Sequence, residues 1–399
     1  MRARPGSPAE VFLAFLRLGC TAFGGPVAHL GYFRAEFVER RRWLDEAAYA
    51  DLVGLCQFLP GPASSQSGFA LGLMRAGAVG GCAAWAGFTL PSALLMVAFA
   101  SGSAWLAALP AGAGLLHGLR LVAVAVVAQA VLGMARQLCP DRARATVAVV
   151  AAAAALLAPV PAGQVGGIAL GAVAGLVLLR GRALAGTGEG GRYVGVTRRA
   201  GAACLGAFAG LLALSAAGGR GPSAALFAAF YRSGALVFGG GHVVLPLLRD
   251  AVVVPGWVGE GAFLAGYGAA QALPGPLFTV AAYLGAVARP APYGSVAGAV
   301  IALAGIFLPG LLLVAGALPF WDALRGRAGA QAALRGANAA VVGVLGAALY
   351  SPLWTSSVVE APDAVAALTG FVLLVAWRTP PWLVAALGAG AGATGALGA

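Results

Sequence analysis

The chain makes nearly the same statement twice. Phe15, Arg17, Gly19, Phe23, Gly24 and Gly25 are followed by Trp43 and by Gln57-Phe58-Leu59-Pro60-Gly61-Pro62. The pattern returns as Phe230, Arg232, Gly234, Phe238, Gly239 and Gly240, then Trp257, then Gln271-Ala272-Leu273-Pro274-Gly275-Pro276. The offset is 215 residues (Phe15 to Phe230), then 214 (Pro60 to Pro274). It continues at 218, where Leu90-Pro91 matches Leu308-Pro309 and Gly118 matches Gly336. A duplication in so apolar a chain predicts a transporter built from two halves.

Of 399 residues, 60% are hydrophobic and 10% charged, against roughly a quarter charged in a soluble domain. Apolar runs approaching or exceeding the length of a bilayer span, about 20 residues, recur along the chain. They cover 121–134 (117–135 with its flank), 146–179, 294–318 and 364–377. Continuous runs exclude the alternating pattern of a barrel, which leaves helices as the only way through lipid. The expected fold is an all-α, polytopic integral membrane protein of twelve or so helices, its halves related as inverted repeats with broken helices. The lipid bilayer is its first partner; a homodimer is left open. All 25 basic residues are arginine, as a GC-rich coding sequence favours. They lie mostly in loops as topology signals, so the net charge of +12 does not imply nucleic acid. The five cysteines show no CxxC pair and no metal-ligand spacing, and read as small buried hydrophobes.

Ser7-Pro8-Ala9-Glu10 reads as a helix start, with Ser7 as N-cap and Glu10 closing a capping box. The first apolar segment contains Arg17 and runs into a motif, so it belongs to the mature protein rather than to a cleaved signal. Phe23-Gly24-Gly25-Pro26 should break or kink its helix. Trp43 follows an arginine-rich stretch, where an interfacial anchor belongs. A helix from about Asp45 to Gln57 should stop at Pro60-Gly61-Pro62 and restart after Ser64-Ser65-Gln66. Glycines and arginines in 180–199 mark a cytoplasmic linker between repeats 1–179 and 200–399.

Arg34, Arg40, Arg41 and Arg42 crowd the loop after the first glycine motif, whereas the matching loop near Arg249 to Glu260 has one arginine. Only the first looks cytoplasmic, which suggests halves of opposite orientation. Arg2 and Arg4 give the first apolar segment basic flanks on both sides. A re-entrant segment that turns back near the glycines removes that conflict.

Proline in a helix interior costs about 3 kcal/mol, so two matched Pro-Gly-Pro breaks in apolar surroundings point to function. Broken helices present N-terminal amides and their dipole to anions. Ser64, Ser65, Gln66 and Thr279 lie past the breaks as further donors, and Gln57 and Gln271 precede them as residues that orient the turns. Gly24, Gly25, Gly239 and Gly240 allow close packing or a second broken element, with His29 and His242 just beyond. Hydrogen-bonded structural roles are the plainer reading of both histidines and of His117; a proton-coupling role is the sharper one for His29. Arg17, Arg75 and Arg232 are the cations expected to face an anion, or else to snorkel; Glu10 is an alternative partner for Arg17. Arg120 is a weaker case, replaced by Asn338 in the second half. Asp51, in an apolar helix, is the second candidate for proton coupling. Glu36, Glu39, Asp45 and Glu46 read as solvated among the arginines.

Phe-Gly-Gly-Pro-Val-Ala-His with Trp43-Leu44-Asp45-Glu46, and Gln57 through Gln66, resemble the chromate ion transporter family. So does Phe-Gly-Gly-Gly-His-Val-Val-Leu-Pro with Gln271 to Phe278 after it. The resemblance covers almost the whole chain, as in the long two-domain members. It implies a chromate exporter of the bacterial cytoplasmic (inner) membrane that confers resistance, driven by the membrane potential or a proton gradient, with halves of opposite topology. Chromate is a tetrahedral dianion close to sulfate, and amides with arginines would suit either. Transport of sulfate or another oxyanion is therefore one alternative. A channel is another, since broken helices occur there too. A membrane-embedded reductase is a third, but there is no GxGxxG after a strand, no CxxCH and no HExxH. No cofactor and no metal are expected, and the protein is not read as an enzyme.

Overall fold

The computed structural model describes residues 6–109, 111–158, 162–179, 196–217, 221–238, 243–289, 294–321, 327–395 and 397, with the side chains of 27 and 104–108 left aside. Among these residues the fold is helical throughout, without strands. The first half holds α1 (Pro8–Thr21), α2 (Gly25–Phe33), α3 (Glu46–Phe58), α4 (Ala63–Ala108), α5 (Gly112–Leu138), α6 (Arg142–Leu157) and α7 (Ala162–Leu178). After α8 (Arg198–Ala216) come α9 (Pro222–Ala235), α10 (Val244–Val252), α11 (Glu260–Ala272), α12 (Val280–Val287) and α13 (Val296–Ala317). The chain closes with α14 (Ala328–Ala348), α15 (Ala361–Val375) and α16 (Pro381–Ala393). Five helices are long and apolar enough to cross a membrane: 63–103, 112–138, 198–216, 296–320 and 328–357. Twelve uniform spans are not what the sequence builds; several elements are half-length. The apolar run 146–179 is two helices, α6 and α7, and not one.

Local chemistry sets these limits. Ser7 caps α1 by accepting from the Glu10 amide at 3.1 Å, with Pro8 in the first turn. Glu10 reaches out to arginines instead of back to its own cap, so the expected box is half formed. The α1 helix ends at Ala22, and Gly24 and Gly25, with φ of 97° and 77°, turn the chain into α2. Those angles lie in the left-handed region that glycine enters without Cβ strain. A π-helical turn, Arg34–Arg40, prolongs α2 and brings Arg41 to within 3.8 Å of Glu10. The two ends of the α1–α2 hairpin therefore lie together, as a re-entrant segment requires. At 1.5 Å per residue, the 14 residues of α1 reach about 21 Å, less than the roughly 30 Å hydrocarbon core.

The next pair repeats this. Asp45 caps α3 by accepting from Ala48, and α3 ends at Pro60-Gly61-Pro62, where Gly61 has φ 125°. The α4 helix restarts at Ala63, so Ser64 and Ser65 stand in its first turn rather than before it. At Ala76 and Gly77 the backbone leaves helical angles. Beyond it Gly80 lies against Gly72 and Gly81 against Phe69. Eight residues of straight helix would separate Gly72 and Gly80 by about 12 Å, so α4 is itself a hairpin. Its first arm ends at Arg75, whose guanidinium lies 5.1 Å from the Trp43 ring at the foot of α3. Trp43 also stacks on Phe37 at 4.5 Å. It is thus enclosed by this cluster instead of standing as a lone interfacial anchor.

The second half is built alike. Arg289, the counterpart of Arg75, donates its amide to the Trp257 carbonyl at 2.8 Å. Glycine at 19 and 87 lets α1 meet α4, and glycine at 234 and 305 lets α9 meet α13. Gly118 on α5 approaches Gly388 on α16, as Gly336 on α14 approaches Gly171 on α7, so each half packs on closing helices of the other. The aligned repeat of the second half begins at α9, since Phe15 on α1 matches Phe230 on α9. Large apolar side chains point outward, Leu157 at 86% and Val177 at 73% exposure among them, as a lipid-facing surface demands.

Candidate functional site at the four chain breaks

The interruptions are tied crosswise between the halves. The Gly61 amide donates to the Val237 carbonyl at 2.7 Å, and the Gly275 amide donates to the Ala22 carbonyl at 2.9 Å. Each Pro-Gly-Pro turn of one half is thus tied to the residue just before the glycine motif of the other. The same turns rest on the long helices of the opposite half. Gly61 lies against Gly310 just past Pro309, and Gly275 lies against Ser92 just past Pro91.

Around the first break the polar side chains are buried. His29, Ser64, Ser65 and Gln66 are each at most 2% exposed. The His29 Nδ1 is 3.4 Å from the Ser64 hydroxyl, and its ring meets Phe88 edge-on at 5.2 Å. The Gln66 amide nitrogen donates to the Pro60 carbonyl at 2.9 Å and to the Gly310 carbonyl at 3.1 Å. Gln66 therefore staples the turn. Gln57, expected to orient it, is exposed at the end of α3, while Gln271 is half-buried and bonds with Tyr267. The Ser65 hydroxyl and the Gln66 carbonyl oxygen are buried without a protein partner. They stand beside the first-turn amides of α4, which have no intrahelical acceptor. In the second half Thr279 donates to the Pro276 carbonyl at 2.8 Å from within a 3₁₀ turn. Pro274 and Pro276 flank Gly275 as Pro60 and Pro62 flank Gly61, with Gly275 at φ 95°. Gly239, Gly240 and His242 lie outside the described residues.

The arginines expected here are placed elsewhere. Arg75 donates to both carboxylate oxygens of Glu10 at 3.1 and 3.2 Å, at the far end of the first α4 arm. Twelve residues of helix separate it from the break, about 18 Å. Arg232 donates to the Ser215 carbonyl on α8. Its counterpart Arg17 is exposed. Arg120 lies against Gly261, with its Nε buried and unpartnered. Asp51 accepts from Trp321 Nε1 at 2.9 Å, and the His117 Nε2 pairs with Asp363 at 2.8 Å as a buried structural contact. Glu36 is not solvated: its carboxylate is buried and accepts from Arg40 at 2.9 Å and Arg41 at 2.6 Å.

One repeated pair was overlooked in the sequence. Arg34 binds Glu46 at 2.7 Å and Arg249 binds Glu260 at 3.0 Å, each clamping the loop between two hairpins. Both pairs obey the duplication spacing, 34 to 249 and 46 to 260, and that spacing would have found them.

The model of the chromate transporter family matches residues 9–176 and again 224–393. The chain belongs to the chromate transporter family. The family's two matched segments share the duplication offset and leave out α8. Among curated relatives, the chromate transport protein of Pseudomonas aeruginosa is 32% identical over 86% of this chain and 80% of its own length. That of Cupriavidus metallidurans is 26% identical over 94% of the chain and 90% of its own. A probable chromate transport protein of Synechococcus elongatus is 28% identical over 77% and 75%. No solved structure matches. The family consists of transporters, not enzymes, and the apolar helices make this member a multi-pass membrane protein.

Proposed function

We propose that the protein exports chromate across the bacterial cytoplasmic membrane by alternating access, and so confers resistance. The observation that carries this is the crosswise pair of bonds, Gly61 to Val237 and Gly275 to Ala22, which ties each Pro-Gly-Pro turn to the residue just before the glycine motif of the other half. A tetrahedral dianion is the ligand that converging helix N-termini and hydroxyls favour. In this reading the α4 first turn, Ser64, Ser65 and His29 receive it, while Gln66 and the prolines hold the turn. Arg75 is committed to Glu10 and Arg232 to the Ser215 carbonyl, and Arg17 is exposed, so none of the three is assigned to the anion. Two cavities, of about 390 and 170 Å³, lie away from the break residues; in this reading the bonds between the breaks hold the passage shut.

The halves are inverted repeats, 1–179 and 200–399, joined by the linker 180–199. Three things support this. Half-length hairpins enter from the arginine-rich end in the first half. Phe99, well past the level of the breaks on α4, packs on Tyr283 of α12 at 5.3 Å, so the second half's hairpins run toward the other end of α4. And α8 supplies a single additional crossing between the repeats.

Chromate flux in membrane vesicles of both orientations tests the reading. Saturable movement from the cytoplasmic side, lost when the gradient is collapsed, is expected, with sulfate as a weaker competitor. Flux no greater than in empty vesicles overturns it, and sulfate moving inward in preference would replace it with sulfate uptake.

A further inference from the structure

The second cavity holds a set of unpaired acceptors. About 170 Å³ in volume, it lies between the end of α6, Gln164 near the start of α7, helix α10, and the end of α14 with Ser351 and Pro352. Asp250 and Gln164 line it. Both carboxylate oxygens of Asp250 are buried and accept no hydrogen bond, and neither does the Gln164 carbonyl oxygen. Gln164 as a whole is 8% exposed.

The charged group that shares the cavity wall with Asp250 is Arg249, its neighbour. Arg249 is already committed, with its Nε 3.0 and 3.1 Å from the two Glu260 oxygens. The lining stretches of α6, α7 and α14 carry no titratable group. On α9, which packs on α10, Arg232 is turned to the Ser215 carbonyl. Desolvated acceptors with no donor are costly, and a cation among them removes the cost. A single carboxylate favours a monovalent ion, because calcium and magnesium draw on more oxygen ligands than this set offers.

We propose that Asp250 and Gln164 bind a monovalent cation, a proton or a sodium ion, that couples to anion transport. The inference rests on the transport reading above. The cavity wall explains how coupling would work. Helix α10 follows the second glycine motif directly, whereas α6, α7 and α14 contain none of the four breaks. A cation held between them fastens the arm bearing that motif to its frame. The first half has Ala35 at the aligned position, so there is one such site per chain.

The test uses purified full-length protein, wild type, Asp250→Asn and Asp250→Glu, in proteoliposomes. Chromate accumulation is measured under a pH gradient and under a sodium gradient, beside chromate–chromate counterflow, which needs no coupling ion. Asp250→Asn should lose gradient-driven accumulation at least tenfold and keep counterflow, with Asp250→Glu restoring accumulation. The gradient that drives the wild type names the ion. Accumulation unchanged in Asp250→Asn overturns the site, and so does loss of counterflow together with accumulation. A second readout does not depend on chromate: melting in detergent as a function of sodium and of pH. Wild type should be stabilised by one of them and Asp250→Asn should not; equal responses overturn the site. Absence of any wild-type chromate flux would refute the transport reading while leaving this melting result to decide on the cation.

Discussion

The amide of Gly61 donates to the carbonyl of Val237, 176 positions later in the chain (237 minus 61), and Gly275 does the same to Ala22. Neither glycine has room to become anything else. A Cβ on Gly61 would lie 3.1 Å from the Gly310 Cα, and on Gly275 2.8 Å from the Ser92 hydroxyl. Left-handed backbone adds about 1–2 kcal/mol for an L-residue. Gly61→Ala and Gly275→Ala should each lower the melting temperature and cut chromate flux at least tenfold, to similar extents. Flux in either variant equal to wild type would show that the crossing is not part of the pathway.

Gln66 and Gln57 should separate cleanly. Gln66→Leu leaves the Pro60 and Gly310 carbonyls unpaired, a loss of about 1–3 kcal/mol, read as denaturation in detergent. Gln57→Ala, at an exposed position, should change stability by no more than about 0.5 kcal/mol. Equal effects would contradict the staple.

Arg75 and Glu10 should behave as one unit. Arg75→Ala, Glu10→Ala and the double variant form a cycle whose coupling energy is expected at about 0.5–3 kcal/mol. The chromate KM should stay within twofold in Arg75→Ala protein that folds. A large rise in KM with no coupling to Glu10 would return Arg75 to the substrate path.

Topology has a direct check. Single cysteines at Glu39 and Val254, both exposed, should react with an impermeant thiol reagent from opposite sides of oriented vesicles. Labelling of both from one side would end the inverted-repeat reading.

The breaks and their matching were legible because glycine and proline act locally: φ of 97° at Gly24 and 125° at Gly61 follow from residues that tolerate or enforce a turn. The re-entrant first segment was legible from its two basic flanks. Partnerships over distance were not. Nothing near Arg75 in the chain names Glu10, 65 residues away, and Glu36 within a run of arginines looks solvated although the fold buries it in pairs with Arg40 and Arg41. Arg17 and Arg232 look equivalent in sequence, yet Arg17 is exposed while Arg232 reaches the Ser215 carbonyl of α8. Asp51 drew notice for its apolar neighbours, yet Trp321 reaches it from the second half. Asp250 drew none, because its isolation comes from helices far away in sequence.

That lone helix has an energetic consequence. Two ideally matched inverted repeats would exchange roles on every transport cycle, making the inward-open and outward-open forms equivalent by a two-fold rotation and equal in energy. In the alternating-access reading proposed above, helix α8, whose Ser215 carbonyl accepts from Arg232 while Arg17 is exposed, makes the repeats unequal, so one form outweighs the other at rest and the cycle has a preferred parking position.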